Sequence, residues 1–138
     1  MAPKNSIGLR FTTIVGGVGR EDMFIPKLIR NEVKYANNHY RDFIHAEDVM
    51  EAIRILIDTN VDVRGVIDLG TGKSTSIREL AKRFCTNYIE TVGDKHERID
   101  NKSNPKELWA LGWRSKIDII DYISQEKNLT NAENLNIM

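Results

Sequence analysis

Residues 65–84, GVIDLGTGKSTSIRELAKRF, set a short apolar strand, a glycine turn and an amphipathic helix in direct succession. Gly70 and Gly72 allow the sharp turn from strand to helix. Ser76 is followed three residues later by Glu79, a capping box in which each side chain satisfies an orphan backbone donor at the helix start. An upstream segment repeats the order. IGLRFTTIV (7–15) is rich in β-branched and aromatic residues and ends in the glycines of GGVG. It predicts a strand running into a loop, and EDMFIPKLIRNE (21–32) then predicts a helix. Pro26 is tolerable there only in the first turn. Strands alternating with helices argue an α/β fold.

The remaining segments fit this order. VKYANNHYRDFIH (33–45) predicts two strands joined by an Asn-Asn turn, since asparagine tolerates the positive φ of tight hairpins. AEDVMEAIRILIDTN (46–60) is the clearest helix, with Val49, Met50, Ile53, Leu56 and Ile57 as its apolar stripe and acids in its first turn. YIETVG (88–93) predicts a strand, NPKELWALGW (104–113) a short helix closed by glycine, and KIDIIDYISQE (116–126) a last helix. Residues 127–138 are polar and predict a flexible, frayed tail. One body over 1–126 follows, without repeat or linker.

GTGKS invites a phosphate-loop reading, but the motif needs a glycine where Ile67 stands, inside the strand. A turn and a helix cap explain the segment better. GGVGR (16–20) invites a dinucleotide reading, and there the third glycine position is Asp22. His39, His45 and His96 lack zinc spacing and Cys85 stands alone, so no metal site is expected. Twenty basic and twenty acidic residues balance, so no net charge steers the chain toward nucleic acid or membrane. No apolar run approaches the roughly 20 residues of a membrane helix. A single cysteine and the absence of an apolar leader fit a cytoplasmic protein.

RDFIHAEDVMEAI (41–53) resembles the segment RDFIHVDDVxAI of the extended short-chain dehydrogenase/reductases, the NAD-dependent epimerases and dehydratases of nucleotide sugars. Four further segments resemble the family in order. GLRFTTIVGGVGR (8–20) is similar to LRxxNVYGPR, and MFIPKLI (23–29) to xxIPxFI. GVIDLGTGKSTSIRELA (65–81) is similar to xYNIGTGxxxSVxELA, and HERIDNKSNPKELWALGW (96–113) to GERxxxxADxxKxxxLGWxP. The match is to the C-terminal half. It implies part of a Rossmann-type fold, the substrate-binding part, with short strands and four to five helices.

The family's glycine-rich NAD turn and its catalytic Tyr-x-x-x-Lys are not in this sequence. Four residues beyond Tyr35, Tyr40, Tyr88 and Tyr122 stand His39, Ile44, Val92 and Glu126. No catalytic residue is therefore assigned, and this chain alone is expected to be inactive. A gene fragment, a split gene and a deliberate truncation would each explain such a half. The resemblance implies a nucleotide-diphosphate sugar as substrate. It implies NAD as cofactor, not bound by this chain alone, and a separately encoded Rossmann half as partner. A non-catalytic binding or docking module, a homodimer burying the edge of the first strand, and a non-functional remnant are the alternatives.

Through the resemblance, Arg41 and Arg98 stand where arginines meet substrate phosphates, a task suited to the planar guanidinium fork. For each the alternative is a solvated charge or an ion pair. Met23, Phe24, Ile25 and Lys27 correspond to the wall beside the nucleoside, with core packing as the alternative for Phe24 and Ile25. Thr13 stands where the family usually has Asn, beside both cofactor and phosphate. Val15 replaces the usual Tyr and Gly17 the usual Pro. Phe11 and Ile14 match positions that approach the nicotinamide by backbone and shape, and count only if a Rossmann half is supplied. Asp48 matches an acid that ties the helix start to backbone donors. The NNHYRDF arm is shorter than the family's GDGxQxRDF.

Overall fold

Parallel pairing between distant segments organises the computed structural model, which describes residues 6–17, 21–59 and 65–137. Strand β1 (Ile7–Phe11) lies parallel to β6 (Gly65–Leu69), in a register running from Ile7↔Gly65 to Phe11↔Leu69. β2 (Thr13–Val15) lies parallel to β5 (Phe43–His45). β3 (Tyr35–Ala36) pairs with β8 (Ile89–Glu90), and β4 (Tyr40–Arg41) runs antiparallel to β7 (Thr75–Ser76). Five helices complete the described fold: α1 (Phe24–Ile29), α2 (Ala46–Asp58), α3 (Ile77–Phe84), α4 (Lys106–Ala110) and α5 (Ile119–Ile137). The architecture is mixed α/β with short, mostly parallel strands.

Three expectations change. The 33–45 segment is no hairpin: β3 and β4 each take a partner far away in sequence, so the Asn37-Asn38 step links two sheets. Long-range pairing overrides local turn chemistry here. The last helix, α5, starts at Ile119 and runs on past Glu126 to Ile137. α1 is shorter than 21–32. It closes at Asn31, whose φ of 60° and the bond from the Glu32 amide to the Lys27 carbonyl form a left-handed helix stop. Residues 18–20 of the glycine loop, Asn60 at the end of the predicted second helix, and Met138 lie outside the described residues.

β5 divides two cores, because successive side chains on a strand face opposite ways. Phe43 joins Val15, Ile25, Leu28, Leu80 and Ile123 from β2, α1, α3 and α5. Ile44 joins Val49, Ala52, Ile67, Leu69, Leu108 and Trp113 around α2, α4 and β6. The predicted stripe of α2 is rotated accordingly. Val49 and Ala52 are buried, whereas Met50 and Ile57 are exposed. α3 starts as predicted, the Ser76 hydroxyl accepting from the Glu79 amide at 3.2 Å.

The second core lies on one face of the β1–β6 pair. The other face carries Gly8, Val66 and the cross-strand ion pair of Arg10 Nε with Asp68 Oδ1 at 2.6 Å. Burial pushes the Asp68 carboxyl up, but the Asn104 amide and Arg10 together hold it below its ordinary value. A depressed folded pKa contributes stability above the unfolded value and loses it as pH falls through the folded one. Asp68→Asn is therefore expected to lower urea stability near neutrality, with the gap from the parent closing below about pH 4. A gap independent of pH would sink this account.

Candidate functional site

An open cleft of about 640 Å³ lies on the first-core side, between β2, α1, the 35–41 segment and α5. Its floor is built by strand ends. β2 delivers Thr13 and Ile14, the start of α1 delivers Met23, Phe24 and Ile25, and β4 delivers Arg41. Tyr35, Asn37, His39 and Tyr122 complete its polar and aromatic lining. Tyr122 packs edge-on against His45, ring centroids 4.9 Å apart, and burial pushes its phenol up, so it stays neutral.

Arg41 is held from behind. Its Nη1 donates to the carbonyls of Tyr40 (2.7 Å) and Ile99 (3.2 Å), and its Nη2 lies 3.2 Å from His39 Nδ1. His39 is buried, its amide tied to the Asn37 side chain at 3.0 Å. Glu97, on an exposed turn, brings a carboxylate oxygen to 3.8 Å from both Arg41 Nη2 and His39 Nδ1. The guanidinium is thus fixed in orientation while part of its side chain, 21% exposed, faces solvent. A planar donor presented this way suits a phosphate or carboxylate.

Next to Arg41, Asp42 is fully buried and organises the surroundings. Its Oδ1 accepts from the Thr71 amide (2.9 Å) and hydroxyl (2.6 Å). Its Oδ2 accepts from the Gly72 amide (3.0 Å) and from the Ser103 amide and hydroxyl (3.1 and 2.6 Å). The Gly70–Gly72 turn is therefore an anion cradle after all, and the anion it holds is a side chain of the same protein. Sequence reasoning missed Asp42; the signal was a strand-to-glycine turn with amides to satisfy and no phosphate motif to use them. Asp48 also acts over a distance. Its carboxylate accepts from the Lys116 and Ile117 amides at 3.0 Å each, pinning the segment before α5 to the start of α2.

Six of the residues singled out from sequence line this cleft together: Thr13, Ile14, Met23, Phe24, Ile25 and Arg41. Thr13 Oγ1 accepts from the Asn101 side chain at 3.2 Å, and Ile25 is buried in the first core. Lys27 faces a neighbouring depression beside Glu32 and Lys34. Arg98 is exposed on the turn after Asp94, where its charge acts on Asp68. Phe11, 45% exposed, ends β1 outside the cleft lining. His39, Tyr35, Tyr122 and Glu97 were not singled out. Among the described residues no three His, Cys, Asp or Glu side chains gather as a metal site, and no helix is long and apolar enough to cross a membrane.

No protein-family model matches this sequence, and no curated protein matches it. Solved structures do. The chain aligns with MoeE5 in complex with UDP-glucuronic acid and NAD at a TM-score of 0.74 and 22% identity, over 92% of this chain and 47% of that one. For the UDP-glucose 4-epimerase of Thermotoga maritima with UDP-glucose the values are 0.72 and 15%, over 92% and 46%. For the UDP-glucuronic acid 4-epimerase of Bacillus cereus with UDP-glucuronic acid and NAD they are 0.71 and 18%, over 87% and 43%. The chain has part of the epimerase fold. It spans about half the length of these structures, in agreement with the C-terminal half that its sequence resembles.

Two of these epimerase-fold structures hold NAD. The amides of Thr71 and Gly72, in the glycine turn after β6, are already taken by Asp42. Phe11 and Ile14 offer exposed apolar side chains.

Proposed function

We propose that this chain is the substrate-binding portion of an NAD-dependent nucleotide-sugar epimerase or dehydratase. The cleft takes the nucleotide-diphosphate sugar, with Arg41 on the diphosphate and Met23, Phe24 and Ile25 beside the nucleoside. The observation that carries this reading is the guanidinium of Arg41, fixed by two carbonyls and turned into a cleft that Thr13, Ile14, Met23, Phe24 and Ile25 also line. The epimerase fold of the chain supports it independently. NAD belongs to a Rossmann half outside this sequence, which lacks both the glycine fingerprint and Tyr-x-x-x-Lys. Thr13, Ile14 and Phe11 would meet the cofactor only in such a pairing, Arg98 would add a second phosphate contact, and Lys27 would extend the nucleoside wall.

Calorimetric titration with UDP-glucose tests the reading. Binding is expected, and Arg41→Ala is expected to weaken it by roughly tenfold or more, since a charged hydrogen bond is lost. The parent incubated with NAD and UDP-glucose is expected to show no turnover. Absence of binding, or an unaffected Arg41→Ala variant, would overturn the proposal. A second reading, a module that docks on another chain, is favoured by the β1–β6 pair. Among the described residues β1 pairs with β6 alone, and one face of that parallel pair is open. Parallel sheets are normally covered on both faces.

A further inference from the structure

Arg41 is paired loosely, in a way a structural ion pair is not. Its Nη1 is saturated by two carbonyls and its Nη2 leans on His39, so the guanidinium does not need Glu97 for its position. The Glu97 carboxylate stands 3.8 Å away, beyond hydrogen-bond length, and its side chain is 61% exposed. Glu97 sits in a tight turn, its amide donating to the Asp94 carbonyl at 3.1 Å, with the His96 amide on the Asp94 side chain at 2.9 Å. The backbone beneath the carboxylate is therefore fixed. A negative charge thus stands beside the Arg41 guanidinium without a hydrogen bond to it.

We propose that Glu97 is a charge filter, a specificity-determining residue that favours a diphosphate diester, such as a nucleotide sugar, over a free nucleoside diphosphate. The proposal rests on the diphosphate reading of the cleft. An oxygen bonded to Arg41 Nη2 lies one hydrogen-bond length beyond the 3.8 Å gap at most, and so within about 7 Å of the Glu97 carboxylate. A free terminal phosphate carries about one more negative charge near neutrality than the same phosphate esterified to a sugar. Like charges at that range repel even in a solvated mouth, and the repulsion scales with ligand charge. Arg41 attracts both ligands; Glu97 penalises the more charged one. A substrate site built this way releases a competing free nucleotide more readily than it releases the sugar ester.

The test compares UDP and UDP-glucose as probes, by calorimetry at low ionic strength, on the parent chain, Glu97→Gln and Arg41→Ala. Glutamine keeps the size and removes the charge. The affinity ratio of UDP to UDP-glucose is expected to rise about threefold in Glu97→Gln and to return toward the parent value at high salt. An unchanged ratio, including an equal tightening or weakening of both ligands, overturns the filter. If Arg41→Ala loses both ligands while Glu97→Gln leaves the ratio fixed, the filter falls and the diphosphate reading stands. If the parent and Glu97→Gln bind neither ligand, both fall.

Discussion

Replacing Asp42 by alanine is expected to destabilise the chain by about 3–5 kcal/mol, a large fraction of what a domain of this size possesses. The side chain is fully buried and accepts five hydrogen bonds from Thr71, Gly72 and Ser103. Alanine leaves the Thr71 and Ser103 amides without this acceptor and the Gly72 amide with Ser103 Oγ alone, at 3.1 Å, and each unsatisfied buried donor costs about 1–3 kcal/mol before relaxation. Asp42→Asn keeps one acceptor oxygen and turns an amide toward donors, so an intermediate loss is expected. Urea unfolding measures both. A loss below about 1 kcal/mol for Asp42→Ala would mean that the cradle is ornamental. Because Arg41 is the adjacent residue, the variant is also expected to bind UDP-glucose more weakly than its folded fraction accounts for.

Gly72→Ala is expected to cost about 2–4 kcal/mol, from two sources that can be separated. Gly72 has a φ of 81°, and a Cβ there would lie 2.6 Å from Trp109 Cζ2 and 2.9 Å from Cη2. An indole that swings away gives up its contact with Arg114, which lies over its ring at 5.3 Å. Gly112→Ala is the control. Its φ is 88°, yet nothing stands within 4 Å of its Cβ, so only the backbone cost of about 1–2 kcal/mol applies. Equal losses for the two variants would show that Trp109 yields without resistance. Because Gly72 donates to Asp42, the double variant with Asp42→Ala is expected to lose less than the sum.

Local rules carried the sequence reading where the structure itself is local. α2 announces itself by apolar spacing and first-turn acids, α3 by its cap, and the Ser76 cap is where the sequence puts it. The buried face of α2 was misjudged, because periodicity reports an apolar side without saying which part of it meets β5 and β6. Met50 and Ile57 are apolar and exposed, while Ala52 is fully buried. The hairpin at Asn37-Asn38 failed for the same reason: a favourable turn sequence cannot compete with partners that the turn does not see. In the site, six residues that the family resemblance singles out share one cleft, and the Thr71 turn that supports it reaches Asp42 from 29 residues away. Asp42 itself was invisible, since a carboxylate beside an arginine reads as an ordinary surface pair until Thr71 and Ser103 are brought to it.

The pairing of β1 with β6 joins residues 58 apart, as the Arg10–Asp68 contact across it also does. No described strand pair in this chain is a hairpin that could form early and template the rest. Closing such loops costs entropy before any sheet contact rewards it, so the helices and their apolar faces must gather first. Refolding should accordingly be slow for a chain of this length, with the β1 segment among the last to arrive. During that wait its apolar residues are expected to be open to other chains, so slower refolding should bring more association.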